Sequence, residues 1–252
     1  MAQRRRYRRV RLRRTPLPAQ FEPILERNVP LCARLPEPLR AELRGHINVF
    51  LDEKNFIGCD GMEIDDEIRV TVAAHACMLL LNRPARYFPG FTSILVYPDT
   101  YVVRETTYDD LLEVEEEETR HGESWHRGPV VLSWNEVLRG ASGTNDGNNV
   151  VLHEFAHKLD EENDVGDGLP ILEDDSQYAA WVEAFTKEYR ELERGGVSRM
   201  HPVLDDYAFT SPAEFFAVAT ESFFEKPAKM KETLPELYEQ LKRYYALDPA
   251  DW

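Results

Sequence analysis

The sequence predicts an α+β fold that is mostly helical and carries a small mixed β-sheet. Three observations support this prediction. Apolar residues recur with helical spacing in several long stretches, short β-branched runs are typical of strands, and internal repeats are absent. The chain has 252 residues, of which 42% are apolar, so it can bury a full core. We therefore expect a single domain over residues 19–252.

The predicted elements follow from local patterns. The helices cover residues 23–51, with breaks at Pro30 and at residues 35–36, and then residues 67–81, 177–192, 211–225 and 234–245. The strands cover residues 93–98, 101–103 and 128–134. Residues 56–61 are predicted as a short turn. We interpret His75, inside an apolar helix, as a packed core histidine rather than a metal ligand.

Residues 128–134 form the best strand in the chain, because they are short, β-branched and apolar. Pro129 near the start suits an edge strand, since proline cannot donate to a neighbouring strand. A plain sheet strand fits the same residues equally well. His121 and His126, just before this strand, are predicted as surface residues.

Charge is distributed unevenly along the chain. Residues 1–14 contain eight Arg and no acid, which leaves 22 basic and 46 acidic residues, or a charge of −24, in the rest. Because the rest of the chain is so acidic, we do not expect it to bind nucleic acid directly. We predict that residues 1–18 form an Arg-rich flexible tail, with contact to a polyanion or a targeting signal as alternatives. The acidic run at residues 113–118 is predicted as a solvated loop or edge.

Cysteine content and hydropathy bear on the compartment. Cys32, Cys59 and Cys77 are well separated and odd in number, which favours reduced thiols in a cytoplasmic protein. No run approaches 18 apolar residues, so we expect no transmembrane segment.

Residues 153–157 have the sequence His-Glu-Phe-Ala-His. Residues four apart lie on one face of a helix, so both imidazoles can reach one metal ion. Glu154 can then act on a water molecule, as the general base of a zinc peptidase does. Asn148 and Asn149 are good N-caps for this helix. The alternative is a buried helix whose histidines only form hydrogen bonds with nearby polar groups. That alternative does not explain why a charged residue, Glu154, would be buried in the same helix.

A catalytic zinc ion usually takes three protein ligands and leaves a fourth position open. The pattern that extends the motif with Gly and His is excluded, because Asp160 and Asn163 occupy those positions. A glutamate from a later helix is the other common solution, and Glu214 and Glu221 are the candidates. Residues 211–214 also match a capping box, in which Glu214 would face its own helix start. Glu221 shares its helical face and could instead bond a ligand histidine.

Four separated motifs carry a resemblance to a known family. They are residues 95–98, residues 124–125 with 128–134, residues 153–160, and residues 206–218 with 223–224. Together they resemble the Mlc titration factor A family of zinc metallopeptidases. This resemblance implies a zincin-like domain, similar to the catalytic domain of anthrax lethal factor. It extends from about residue 20 onward and leaves the Arg-rich start and the acidic run unmatched.

The resemblance also implies residue roles. One zinc ion per chain would be bound by His153, His157 and Glu214. Glu154 would be the general base, and Tyr207 would donate a hydrogen bond to the oxyanion. The expected function is therefore a cytoplasmic zinc-dependent peptidase with aminopeptidase-like activity on short peptides. The family is also associated with a glucose-responsive transcriptional repressor. The alternative function is therefore a regulatory binding protein that sequesters such a repressor.

Overall fold

Helices surround a small β-sheet in the computed structural model, which describes residues 2–99, 101–109, 112–120, 122–124, 128–141, 147–172, 174–195 and 202–252. The helices are α1 (Ala2–Arg14), α2 (Glu22–Asn28), α3 (Leu31–Arg34), α4 (Glu37–Glu53), α5 (Asp66–Met78), α6 (Trp134–Ala141), α7 (Val150–Asp160), α8 (Asp175–Gly195), α9 (Pro212–Glu225), α10 (Pro227–Thr233) and α11 (Pro235–Tyr245). The strands are β1 (Asn55–Gly58), β2 (Ser93–Tyr97), β3 (Tyr101–Asp109), β4 (Leu112–Arg120), β5 (Gly122–Ser124) and β6 (Val130–Ser133). The predicted α+β class, mostly helical with a small sheet, is confirmed.

The sheet is mixed, as predicted. Its strand order is β1-β2-β6-β5, with β1, β2 and β6 parallel and β5 antiparallel to β6. Strands β3 and β4 form a separate antiparallel hairpin. The register pairs Ile94 with Val130 and Leu95 with Val131, which brings the apolar residues of β2 and β6 together at the centre of the sheet.

The segment at residues 128–134 is not an edge strand. β6 pairs with β2 on one side and with β5 on the other. All four of its residues are buried, as is typical of a strand covered on both faces. Pro129 precedes the strand and therefore removes no hydrogen bond from it. Among the described strands of this sheet, β1 and β5 are the edges, while His121 and His126 lie outside the described residues.

Two further segments form strands, one of them where a turn was predicted. Residues 55–58, within and beside the predicted turn, form strand β1 because they pair in parallel with β2. The acidic run at residues 113–118 lies in β4, an edge strand of the two-stranded hairpin, so of the two predicted alternatives, a solvated loop or an edge, the structure shows the edge. Its partner β3 is rich in Tyr, Val and Thr, which favour strands, so pairing outweighs the weak strand preference of Glu.

Within the segment predicted as a flexible tail, residues 2–14 form helix α1, which packs along α4. Arg5 and Arg9 both contact the carboxylate of Glu53, at 2.6 and 2.7 Å. A Cβ added to Gly45 would lie 2.6 Å from the carbonyl oxygen of Arg13, so the two helices are close at this point. Acidic residues of α4 therefore offset the repulsion between neighbouring arginines, which the local sequence of α1 does not reveal.

One contiguous apolar core runs from Leu17 to Leu247. Behind α7, the ring of Phe155 contacts those of Phe50, Phe88 and Phe91, with centroid distances of 5.6, 4.8 and 5.8 Å. α7 also packs against α9. This packing fixes the inner face of α7 and leaves its outer face beside the start of α9.

Smaller predictions are also settled. His75 is buried and its Nδ1 lies 3.0 Å from the carbonyl oxygen of Thr71, as expected of a core histidine. Cys32, Cys59 and Cys77 are free thiols. Within the described part of the chain, no helix has the length and apolar content needed to cross a membrane.

Candidate metal centre

Helix α7 presents two histidines on one face. Its N-cap is Asn149, as the sequence predicts, and the Asn149 Oδ1 accepts a hydrogen bond from the backbone N–H of Leu152 at 3.1 Å. One turn apart, the rings of His153 and His157 have centroids 4.8 Å from each other. Their Nε2 atoms are 3.2 Å apart, so both ring nitrogens point to the same region.

Glu214 from α9 completes this cluster. The Ser211 hydroxyl caps α9 by accepting the backbone N–H of Glu214 at 3.2 Å, as the capping box predicts. The Glu214 side chain nevertheless turns toward α7. Its Oε2 lies 3.0 Å from Nε2 of His153, and its Oε1 lies 3.4 Å from Nε2 of His157. Glu214 can therefore take part in the helix cap through its backbone N–H and be a candidate metal ligand through its side chain.

Glu221 supports the first histidine from the opposite side. Its Oε1 lies 2.8 Å from Nδ1 of His153, while its Oε2 accepts the backbone N–H of Asn149. The Asn149 side-chain amide donates to Glu225 at 3.2 Å. The sequence predicts the contact of Glu221 with a histidine but not the role of Glu225. The available signal was spacing, since Glu225 lies one helical turn beyond Glu221 on the same face of α9.

The three side chains fit a zinc ion. Zn–N bonds of about 2.0–2.1 Å at tetrahedral angles would hold two donor atoms about 3.3 Å apart. Nε2 of His153 lies 3.2 Å from Nε2 of His157 and 3.0 Å from Oε2 of Glu214, while the other oxygen of Glu214, Oε1, lies 3.4 Å from Nε2 of His157. The Glu214 Oε2 is buried and faces His153, but it forms no hydrogen bond with any described residue. Among the described residues, these three form the candidate metal-binding group.

The histidines and Glu214 perturb one another electrostatically. Burial alone would raise the pKa of Glu214, but the two histidines lower this pKa to about 2. Burial opposes protonation of His153, yet Glu214 and Glu221 raise its pKa well above the usual range. The pocket between α7 and α9 is thus negative enough to favour a cation.

Glu154 lies next to this group and is itself buried, with 4% of its surface exposed. Its Oε2 has no hydrogen-bond partner among the described residues. Burial raises its pKa to about 8, helped by the nearby charge of Glu214 and opposed by that of His153. A buried carboxyl group that lacks a partner costs stability, which is typical of a group retained for chemistry.

Tyr207 reaches the site from a single turn of 3-10 helix at Asp206–Phe209. Asp205 caps this turn by accepting the backbone N–H of Tyr207 at 3.0 Å. The Tyr207 side chain is 54% exposed, and its ring centroid lies 6.0 Å from that of His153. Local sequence gave no reason to select this tyrosine, and only the family resemblance pointed to it.

Comparison with known proteins finds a matching family and several relatives. A model of the family described as "Glucose-regulated metallo-peptidase M90" matches residues 2–246, which include the Arg-rich helix α1. An uncharacterized protein of Synechocystis, slr2042, is 40% identical over 245 residues, covering 96% of this chain and 89% of that protein. Mlc titration factor A of Salmonella agona is 31% identical, covering 88% and 84%. The Yersinia pestis protein of the same name is 32% identical, covering 88% and 83%.

Proposed function

Since the chain belongs to the glucose-regulated metallo-peptidase M90 family, we propose that it is a zinc-dependent peptidase with aminopeptidase-like activity on short peptides. The observation that carries this proposal is the convergence of His153, His157 and Glu214 beside buried Glu154, whose Oε2 has no hydrogen-bond partner among the described residues. The two histidine side chains are each 13% exposed, so a substrate can approach them from solvent. The zincin-like character of the domain is part of the same proposal.

His153, His157 and Glu214 would hold one zinc ion per chain. When bound, zinc polarises the scissile carbonyl and lowers the pKa of water. The contact between Glu221 and Nδ1 of His153 fixes the proton on that nitrogen, which leaves the Nε2 lone pair available as a ligand. A set of three protein ligands leaves a fourth position open, as in catalytic rather than structural zinc sites.

Glu154 and Tyr207 would carry the remaining chemistry. Glu154 accepts a proton from the attacking water and passes it to the leaving amine. The Tyr207 phenol donates a hydrogen bond to the carbonyl oxygen as that oxygen gains negative charge. The exposure of Tyr207 and its place beside His153 support this role, because the phenol must reach a substrate rather than a core partner.

Strand β5 supports a peptide as the substrate. It is an edge of the sheet in the described structure and packs against α7. An extended peptide that adds to this edge would therefore run alongside the candidate metal centre. The sequence suggested an edge strand at residues 128–134, but β6 is paired on both sides, so the edge beside α7 is β5.

The test combines metal content with turnover. We expect about one zinc ion per wild-type chain, full zinc but at least 100-fold lower turnover in Glu154→Gln, and loss of zinc in His157→Ala and Glu214→Ala. Normal turnover in Glu154→Gln would refute the mechanism. Full zinc occupancy in Glu214→Ala would remove Glu214 from the ligand set.

Peptides with free and with acetylated amino termini would test the aminopeptidase preference. Cell fractionation would test a cytoplasmic location, which the three free thiols support.

The second candidate function is regulatory binding of a transcriptional repressor. The names of the Salmonella and Yersinia relatives, which identify them as titration factors for Mlc, favour it. Glu154→Gln separates the two functions, because binding should survive when turnover is lost. Capture of a purified candidate repressor by this variant would support the regulatory role, and failure of both wild type and variant to bind would exclude it for that repressor.

A further inference from the structure

We propose that Asp160 and Gly168 form a brace that positions Glu214 relative to His157, and that both are positioning residues for the metal centre. This inference rests on the proposed function, since it concerns the metal ligands named there. The brace connects the last residue of α7 to the first turn of α9 through the loop after α7.

The first half of the brace is a buried hydrogen bond. Asp160 ends α7, three residues after His157, and its surface is fully buried. Its Oδ2 accepts the backbone N–H of Gly168 at 2.7 Å. The other oxygen, Oδ1, is buried and has no hydrogen-bond partner among the described residues. Losing the Gly168 N–H would leave both oxygens of a buried carboxyl group unpaired, so this contact favours one position of the loop. The other face of Gly168 is also held, because the indole N–H of Trp181 donates to its carbonyl oxygen at 3.2 Å.

The second half is a close contact between two backbones. Gly168 has a φ of +79°, and a Cβ at this position would lie 2.3 Å from the carbonyl oxygen of Pro212 and 2.7 Å from its carbonyl carbon. Rotation of a side chain cannot relieve such a contact, since both partners are main chain. The first residue of α9 therefore rests directly on Gly168.

The position of Pro212 determines that of Glu214. Only Ala213 separates the two residues, and the Ser211 cap holds all of them in one helical turn. A side chain at residue 168 would push this turn away by about 1 Å, whereas metal–ligand distances tolerate only roughly 0.2 Å. The tie between Asp160 and Gly168 thus sets the distance from Glu214 to the histidines of α7.

Gly166 provides a matched control for Gly168. It lies in the same loop with a φ of +67°, so substitution by Ala imposes similar backbone strain. A Cβ there would meet only the Glu161 side chain, at 3.7 Å, which is ordinary contact. Any loss that Gly168→Ala shows beyond Gly166→Ala therefore comes from displacement of α9 and not from the loop conformation.

Asp160 offers a second, independent pair of variants. Asp160→Asn keeps an oxygen that can accept the Gly168 N–H, whereas Asp160→Ala removes the acceptor. If the brace acts through this bond, the Asn variant rescues metal binding and the Ala variant does not. A requirement for charge at residue 160 would instead make both variants equally weak.

The experiment measures Zn²⁺ affinity by competition with a chromophoric chelator, together with the absorption spectrum after Co²⁺ substitution. We expect Gly168→Ala to bind Zn²⁺ at least 10-fold more weakly than Gly166→Ala and to change the Co²⁺ spectrum. The Zn²⁺ affinity of Asp160→Asn should be close to that of the wild type, and that of Asp160→Ala at least 10-fold weaker. Equal affinities and spectra for the two glycine variants would overturn the brace while leaving the proposed function intact. If Gly168→Ala does not fold, the two Asp160 variants test the brace alone, and equal Zn²⁺ affinities of Asp160→Asn and Asp160→Ala would refute it. If the wild type binds no metal, the proposed function fails first.

Discussion

The Nδ1 atom of His153 lies 2.8 Å from Oε1 of Glu221, and the other oxygen of the same carboxylate accepts the backbone N–H of Asn149. One side chain of α9 thus holds both a histidine of the candidate metal centre and the residue that caps its helix. This geometry requires two acceptor oxygens on one group. Only a carboxylate supplies them, since an amide of the same shape has one acceptor and one donor.

Glu221→Gln should therefore weaken metal binding without removing a ligand. The single amide oxygen must give up either His153 or Asn149, and the amide NH₂ would then face a donor. We expect a loss in Zn²⁺ affinity of about 10- to 100-fold, as for other groups that orient a metal-binding histidine. Competition titration with a chelator measures this loss. Glu236→Gln, on the exposed surface of α11, is the control, and equal affinities in the two variants would show that Glu221 does not orient His153.

Asn149 should respond unusually to substitution by Asp. At an ordinary N-cap the two residues are about equivalent, because either side chain accepts the first free N–H groups of a helix. Here the carboxylate of Asp would lie beside both Glu221 and Glu225, and the donor to Glu225 would be lost. We expect Asn149→Asp to lower the free energy of unfolding in urea by about 2 kcal/mol or more at pH 7.

Asn149→Ser is the companion variant, because it keeps a capping oxygen and adds no charge. It should cost only about 1 kcal/mol. If the Asp variant proves as stable as the Ser variant, repulsion from Glu221 and Glu225 is not significant at this N-cap.

Helical periodicity was sufficient to predict α7, α8, α9 and α11, because their apolar faces are continuous in the sequence. The position of the two histidines followed in the same way, since residues four apart share a helical face. The third member of the cluster did not follow. The local sequence left Glu214 either as a helix cap or as one of two ligand candidates, and the family resemblance selected it. The packing of α9 against α7 shows that its carboxylate turns toward the histidines.

Other features depended on partners that are distant in the sequence. β6 is an interior strand because β5 pairs with its outer side, and its own residues are compatible with either position. β1 has little strand preference and forms through pairing with β2. Helix α1 depends on acidic groups about 40 residues away, on α4. Local patterns cannot supply such information, since each of these elements is fixed by a tertiary contact.

Because of His75, the free energy of unfolding should decrease at mildly acidic pH. Burial lowers its pKa from 6.5 to about 4. Between these values, the unfolded chain binds a proton at His75 that the folded chain does not, so the free energy of unfolding decreases as the pH falls from 6.5 toward 4. Relative to His75→Gln, the wild type should lose about 1.4 kcal/mol per pH unit in this range. Urea unfolding at several pH values measures the difference, and a difference that stays constant with pH would show that His75 titrates normally in the folded protein.

Helix α1 should detach when Glu53 is replaced by Gln. Burial would raise the pKa of Glu53, but hydrogen bonds from Arg9 and Arg5 lower it to about 2, so the carboxylate is charged at neutral pH and binds both arginines. Loss of this charge leaves neighbouring arginines without their common partner. We expect trypsin to cleave within α1 several-fold faster in Glu53→Gln. High salt should have a similar effect on the wild type, because exposed ion pairs are screened.

The packing of α1 can also be tested without changing any charge. A methyl group at Gly45 would collide with the Arg13 carbonyl oxygen, so Gly45→Ala should likewise accelerate cleavage in α1. Glu26→Gln, an exposed change on α2, is the matched control for loss of one negative charge. Faster cleavage in both Glu53→Gln and Gly45→Ala, but not in Glu26→Gln, would show that charge and close packing together hold α1 on α4. Rapid cleavage of α1 in the wild type, at the same rate as in all three variants, would mean that α1 does not stay packed on α4 in solution, as the flexible tail predicted from the sequence requires.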